Sequence, residues 1–320
     1  MNSKNIYLIR KIGWKEWKRL VPLFFFSACV LTGCQDTEER PVDEYKEKLT
    51  FSTCIGKNES RATVTGNNLE DGMKIGVTVV DENSNNYQGI NYNNVCYTAS
   101  TVNGKQVWTA DKDIMLSGVD GTLYAYYPYD ENIDMQNISI DLVKKEQVDW
   151  LYAKKIDGLS NNNHVTQIRL QHALANMSIS LVKGDFVGNG KISKVALTSG
   201  AVAMSASLNA QTGELTNQQM VGQKLEYKVQ ENLSDEPVNI NVLFVPTETE
   251  NTVTVEVTVD NRAYEIETPT VKTEQGTSYN YTLIQNSTRL ELGSITITPW
   301  ADKLQGSLEV NKVRKNKNDR

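Results

Sequence analysis

From Lys48 onward, apolar and polar residues alternate with a period of two, in short runs separated by Gly, Asn and Asp. A β-strand points successive side chains to opposite faces, so this pattern predicts consecutive strands with one face buried and one wet. The clearest run sets Val253, Val255, Val257 and Val259 on one face, and Thr252, Thr254, Glu256 and Thr258 on the other. Asp260-Asn261 follows, a pair suited to a two-residue hairpin turn, and Tyr264 and Ile266 begin the returning strand. The same alternation marks Ile75, Val77 and Val79, then Ala175, Met177, Ile179 and Leu181, then Val238, Ile240, Val242 and Phe244. Near the end, Leu290 and Leu292 change phase at Gly293 to Ile295 and Ile297, as one extra residue at a β-bulge produces. No window longer than about ten residues carries a helical stripe. The prediction is an all-β fold of sandwich type.

The Asn-rich stretch Gly158-Leu159-Ser160-Asn161-Asn162-Asn163 is the strongest internal break, and Gly184 to Gly190 a weaker one. A boundary there gives two tandem β-sandwiches, 49–164 and 165–310, followed by a basic disordered tail over 311–320.

The first 33 residues read differently. Lys4, Arg10, Lys11, Lys15, Lys18 and Arg19 lead into an apolar run from Leu20 to Leu31, the layout of a secretory signal peptide. The run is well short of the roughly 20 residues that a spanning helix needs. It ends at Leu31-Thr32-Gly33-Cys34, which resembles the bacterial lipobox, so residues 1–33 are expected to be removed and Cys34 to carry the lipid. Each buried CH₂ contributes about 0.8 kcal/mol, so several acyl chains anchor a protein without a transmembrane helix. Residues 34–48 follow as a polar, acidic tether with Gln35 at its second position. This acidic cluster resembles the export signal of surface lipoproteins in Bacteroidota-type bacteria, which implies the outer membrane, lipid-anchored and exposed at the cell surface.

The whole chain carries 33 Lys and Arg against 39 Asp and Glu. Removing the signal takes six basic residues and one acid, which leaves a strongly acidic mature chain. Nucleic-acid affinity rests on neutralising phosphates, so that class of partner is excluded. His164 and His172 are the two histidines, and neither has a metal-ligand spacing with another His or a Cys. There is no Gly-rich phosphate loop, no Gly-x-Ser-x-Gly elbow and no Asp-rich calcium loop. No enzyme, metal or cofactor is predicted. His172 reads as a satisfied core or edge histidine, and Trp108, Trp150 and Trp300 as core anchors. Tyr124, Tyr126, Tyr127 and Tyr129 carry two readings, strand packing or a sugar-stacking platform. Cys54 and Cys96 sit in strand-like segments and either form a disulfide or remain two buried thiols.

Several segments together resemble the fimbrillin family, lipoprotein precursors of pilus subunits and pilus-associated proteins. They are the lipobox, Leu49-Thr50-Phe51-Ser52, Ser60-Arg61-Ala62-Thr63, Gly72 to Val77, Leu123 to Tyr129, His172-Ala173-Leu174-Ala175, Gly276 to Leu283, and Ile297-Thr298-Pro299-Trp300. The resemblance implies two transthyretin-like β-sandwiches and assembly into a fimbrium by strand addition. In that scheme a protease cuts the precursor after an Arg, and the groove so freed takes a strand from another fimbrial subunit. Arg61 and Arg40 are the candidate processing sites. The alternative in which neither is cut and the lipid on Cys34 stays leaves the chain as a permanent anchor or accessory subunit. Lys312 to Arg320 is too polar to fill a hydrophobic groove, which argues for an anchor or tip over a polymerising stalk subunit. A host or bacterial surface ligand is an expected further partner. The competing reading is a surface glycan-binding lipoprotein that feeds a nutrient transporter.

Overall fold

In a computed structural model of the chain, the described residues are 45–56, 69–142, 147–198, 203–220, 224–250 and 252–300. The signal peptide, Cys34, Arg40, Arg61 and the basic tail lie outside them. The described chain is all β. Its first half holds β1 (Glu47–Lys48), β2 (Thr50–Ile55), β3 (Lys74–Val80), β4 (Tyr92–Val102), β5 (Lys105–Ala110), β6 (Met115–Leu116), β7 (Gly121–Tyr127), β8 (Ile138–Asp141), β9 (Leu151–Ala153), β10 (Ile156–Leu159) and β11 (Val165–His172). The second half holds β12 (Ala175–Lys183), β13 (Lys191–Thr198), β14 (Ala203–Asn209), β15 (Glu214–Met220), β16 (Lys224–Asn232), β17 (Val238–Phe244), β18 (Thr254–Val259), β19 (Arg262–Glu267), β20 (Thr277–Gln285) and β21 (Leu290–Pro299).

The first half is one large sheet in the order β2-β11-β9-β7-β3-β4-β5, with β10 also on β7 and a separate β1-β6 pair. Alternation decides its faces. Ile75, Val77 and Val79 of β3 point inward with Leu123 and Ala125 of β7, Tyr97 and Ala99 of β4 and Ile168 and Leu170 of β11. The sheet curls until the inner face of β2 at one edge meets β5 at the other.

The second half packs three sheets, β17-β12-β20-β21, β16-β13-β18-β19 and β15-β14-β8, around a single core. The Val253 to Val259 face is buried there as its pattern predicts. Asp260 and Asn261 turn the hairpin at φ 47° and 65°, with Val259 paired to Arg262. The phase change at Gly293 is a bulge in the β20–β21 ladder, where Ser294 faces Thr282 while Leu292 faces Leu283.

The break expected at 164 does not separate the sheets. Val165–His172 joins the first sheet, pairing parallel with β2 and antiparallel with β9, so the second core begins at Ala173. Conversely, β8 leaves the first half and pairs with β14, and brings Met135, Ile138, Ile140 and Leu142 into the second core. The Asn-rich stretch is a turn between β10 and β11, with Asn163 and Ser160 bonded to each other, and lies inside the first sheet.

Two further contacts weld the halves together. Gln147, buried, accepts the Leu243 N–H at 2.9 Å and donates to the Tyr227 hydroxyl, so a side chain from the first half satisfies a backbone donor of β17. Gly213, at φ +79°, lies beneath the Tyr152 ring, where an added Cβ would stand 2.1 Å from the ring. Only glycine suits both that backbone and that approach.

Candidate functional site

The most distinctive local arrangement is the seat of the first strand. The segment is gripped from two sides in succession. Glu47 and Lys48 pair antiparallel with Leu116 and Met115, and the Leu49 N–H donates to Ile114 O at 2.9 Å. The Thr50 N–H then donates to His164 O at 2.9 Å, and Thr50 to Ile55 run parallel to Val165 to Leu170. The Gly56 N–H closes the ladder on Leu170 O. Among the described residues β2 is an edge strand, and β11 holds its backbone over this stretch.

Side chains on alternate positions fill a groove. Leu49 and Ile55 are buried in the first core, worth about 1.5–3 kcal/mol each. The Phe51 ring lies 4.8 Å from Tyr97 and 5.7 Å from Trp108 between centroids. Thr53 is buried and its hydroxyl donates to Gln106 Oε1 at 2.8 Å. That oxygen also accepts from Trp108 Nε1 at 3.2 Å, while Gln106 Nε2 donates to Leu69 O at 2.6 Å. The amide orientation is thereby set from its far side, and the groove offers an acceptor to whatever occupies the Thr53 position.

The other residues singled out from the sequence do not converge. Tyr124 and Tyr126 pack on the second core, Tyr127 on the first, and Tyr126 is fully buried with its hydroxyl on Asn94 Oδ1 and Asp130 O. These tyrosines occupy opposite faces of β7, so they and Tyr129 do not form one sugar-stacking platform; period-two alternation itself splits them. Cys54 and Cys96 are buried free thiols, not a disulfide. Burial pushes both thiols up, opposed at Cys54 by Arg169 and reinforced at Cys96 by Asp111, so neither is poised as a nucleophile. His172 is buried, with Nδ1 2.9 Å from Asp149 Oδ1 and its ring stacked on Trp300 at 3.5 Å. Trp108 and Trp300 are core residues and Trp150 packs on the second core. Among the described residues no group of His, Cys, Asp and Glu is arranged to hold a metal ion.

One feature that alternation hid is Glu256. Placed on the wet face by its register, it is nonetheless buried, 2.7 Å from both Lys194 Nζ and Lys224 Nζ. Hydrogen bonds from these two ammonium groups hold its carboxyl down to about 2. The unfolded chain therefore binds the proton more readily, so the pair's contribution is present above the ordinary carboxylate range and fades as pH falls from about 4.5 toward 2. Glu256→Gln is expected to cost about 1–2 kcal/mol in urea unfolding at pH 7, the lysines being partly exposed. The deficit should shrink toward pH 2; an equal deficit at pH 7 and pH 2.5 would refute the ion-pair account.

The fold is shared with solved structures. A candidate cell adhesion protein from Bacteroides ovatus superposes with a TM-score of 0.64 at 17% identity, covering 80% of this chain and 98% of its own. Another from Bacteroides uniformis gives the same values. A fimbrial protein from Bacteroides vulgatus reaches 0.51 at 12% identity, over 80% of this chain and 100% of its own. At such identities the likeness is one of fold. No curated protein sequence matches the chain. The family model described as Fimbrillin-like matches residues 60–300, which takes in nearly all the strands of both cores. The chain belongs to the fimbrillin-like family.

Proposed function

We propose that this chain is a non-enzymatic surface lipoprotein that acts as a structural, anchor or tip component of a fimbria in adhesion and takes part in assembly by strand addition at the seat of β2. Membership of the fimbrillin-like family supports the structural, cell-surface role. The observation that carries the finer reading is the position of β2. Among the described residues it is an edge strand with one backbone neighbour beyond Thr50, and residues 57–68, which include Arg61, lie between it and β3 in the sequence. Cutting after Arg61 would leave β1 and β2 held by the groove alone. A strand from another subunit can then offer the same backbone hydrogen bonds to β11 and the same alternate side chains to the pockets. Arg40, in the tether, is the alternative cut; it would free the chain from the lipid on Cys34 and leave β2 in place.

Intact-mass measurement on protein extracted from its native cell surface tests this. An acylated Cys34 on an uncut chain assigns a permanent anchor or accessory subunit. An unlipidated chain starting at Ala62 or Pro41 assigns a processed, polymerising one. A mature chain that is neither acylated at Cys34 nor cut after either arginine would remove the proposal.

A further inference from the structure

We infer that the outward face of the sheet β17-β12-β20-β21 is a binding surface for an uncharged polysaccharide, which it holds through a grid of amide and hydroxyl side chains. The inference supplies a ligand for the adhesive role above and does not depend on strand addition at β2.

The strand registers build the grid. Asn241, Ser178, Asn280 and Thr296 stand side by side across the four strands. Asn239, Ser180, Thr282 and Ser294 form the next row. Their sequence neighbours, Ile179, Val242 and Tyr281 among them, point into the second core, so alternation turns these residues outward, and all are partly or fully exposed. Strands lie about 4.8 Å apart, so a polymer crossing the sheet meets a hydrogen-bonding group at each strand over a span of about 14 Å. The side chains also orient one another. The Ser180 hydroxyl donates to Asn239 Oδ1 at 2.6 Å, and the Ser294 hydroxyl to Thr282 Oγ1 at 3.0 Å. Asn280 donates through Nδ2 to Thr298 Oγ1 at 3.2 Å, and its Oδ1 accepts from the Ser278 hydroxyl at 3.1 Å. Groups fixed in this way lose little freedom on binding, and hydroxyls and amides have donor and acceptor capacity beyond a single bond.

Charge selects the occupant. The chain is 22% charged, and exposed surface ordinarily runs somewhat higher, yet neither row holds a charged side chain. The other outward sheet face of the same core shows the contrast, with Lys224, Glu226, Lys194, Glu256 and Glu265 on β16, β13, β18 and β19. The edge strand β21 is likewise free of charge from Leu292 to Pro299, although edges are ordinarily guarded by charged side chains. The grid ends where Glu291 pairs with Arg289. An ionic partner therefore finds no counter-charge on the two rows, and a protein partner finds no Trp, Tyr or Arg anchor. The hydroxyls of a neutral sugar, each both donor and acceptor, match what the face presents. Asn176 is an independent sign of such a ligand. It lies on the same face of β12, two residues before Ser178, and is 3% exposed. Its Nδ2 donates to Ser278 Oγ at 3.1 Å, while its Oδ1 has no hydrogen-bond partner among the described residues. An unpaired buried acceptor is costly, and a sugar hydroxyl inserted at the foot of the grid offsets that cost.

Affinity electrophoresis of the mature chain tests this, in gels cast with neutral polymers (a mixed-linkage β-glucan, a xyloglucan, a galactomannan and glycogen) or with the anionic polygalacturonate. At least one neutral polymer is expected to retard the chain, and polygalacturonate to leave it unmoved. Thr296→Lys, at an exposed edge position, should weaken the association by about tenfold or more, because it sets an ammonium group against uncharged hydroxyls. Asn280→Ala should weaken it by about three- to tenfold, and Glu265→Lys on the other sheet should leave it unchanged. Near-UV circular dichroism checks that each variant is folded, and Thr296→Lys decides the matter if Asn280→Ala is not. Retardation by no neutral polymer, by polygalacturonate only, or equally in the parent and Thr296→Lys would overturn the inference. So would a dimer in gel filtration that Thr296→Lys dissociates, which assigns the face to a second copy. The fimbrial reading stands in each of these outcomes, because the intact mass tests it separately.

Discussion

Residues 165–310 produced on their own should show no cooperative unfolding transition. The second core takes Met135, Ile138, Ile140 and Leu142 from the first half of the chain, together with Tyr126 and Tyr152. At about 1.5–3 kcal/mol for each buried aliphatic side chain, the first four alone contribute roughly 6–12 kcal/mol. A whole domain is typically stable by only about 5–15 kcal/mol. Removing them also strips β14 of its β8 neighbour and leaves the Leu243 N–H and the Tyr227 hydroxyl without Gln147. The mature chain, in contrast, should melt in a single transition, since one apolar core passes through Tyr126 and Tyr152 from the first sheet into the second. Near-UV circular dichroism and urea titration decide it. A sigmoidal melt with native-like aromatic signal from 165–310 would refute the shared core.

The second large effect is expected at Gly76. This residue sits in the middle of β3, opposite Tyr126 on one neighbour and Cys96 on the other. An added Cβ would lie 2.2 Å from the Tyr126 ring and 2.6 Å from Asn94 Oδ1. Tyr126 cannot simply turn aside, because its hydroxyl is tied to Asn94 and to the backbone of Asp130 and its ring is part of the second core. Gly76→Val should therefore cost about 3 kcal/mol or more, the range of overpacking combined with loss of a buried hydrogen-bond network. Tyr126→Phe, which keeps the ring and gives up the hydroxyl, should cost about 1 kcal/mol. Urea midpoints that are the same for Gly76→Val and the parent would show that the ring has room to move.

Much of the fold was legible in the sequence because a strand writes its burial into alternate residues. Val253 to Val259, the Asp260-Asn261 hairpin and the Gly293 bulge all follow from local rules, and each is found where the pattern places it. The family likeness was legible for the same reason, since short strand and turn segments keep their order along the chain. Pairing was not. A period of two states which face is buried but not which strand lies alongside, and β8 and β11 each pair across the Asn-rich break that composition marks as a boundary. A turn between paired strands and a linker between domains share the same residues, so composition cannot tell them apart.

The candidate site divides along the same line. Leu49-Thr50-Phe51-Ser52 stood out among the segments of the family resemblance, but Thr53 with Gln106, and Glu256 between Lys194 and Lys224, are contacts between residues far apart in the chain. Alternation alone put Glu256 on the wet face; the two lysines close over it only once β16, β13 and β18 are neighbours. The tyrosines of β7 show the converse, since adjacency in sequence set them on opposite faces and against different cores. What the sequence by itself determined was the all-β class, the inward face of its clearest strands and the family. Sheet order, the exchange of β8 and the polar lining of the β2 groove were decided by tertiary structure, because they depend on which distant strands become neighbours, and local periodicity carries no record of that.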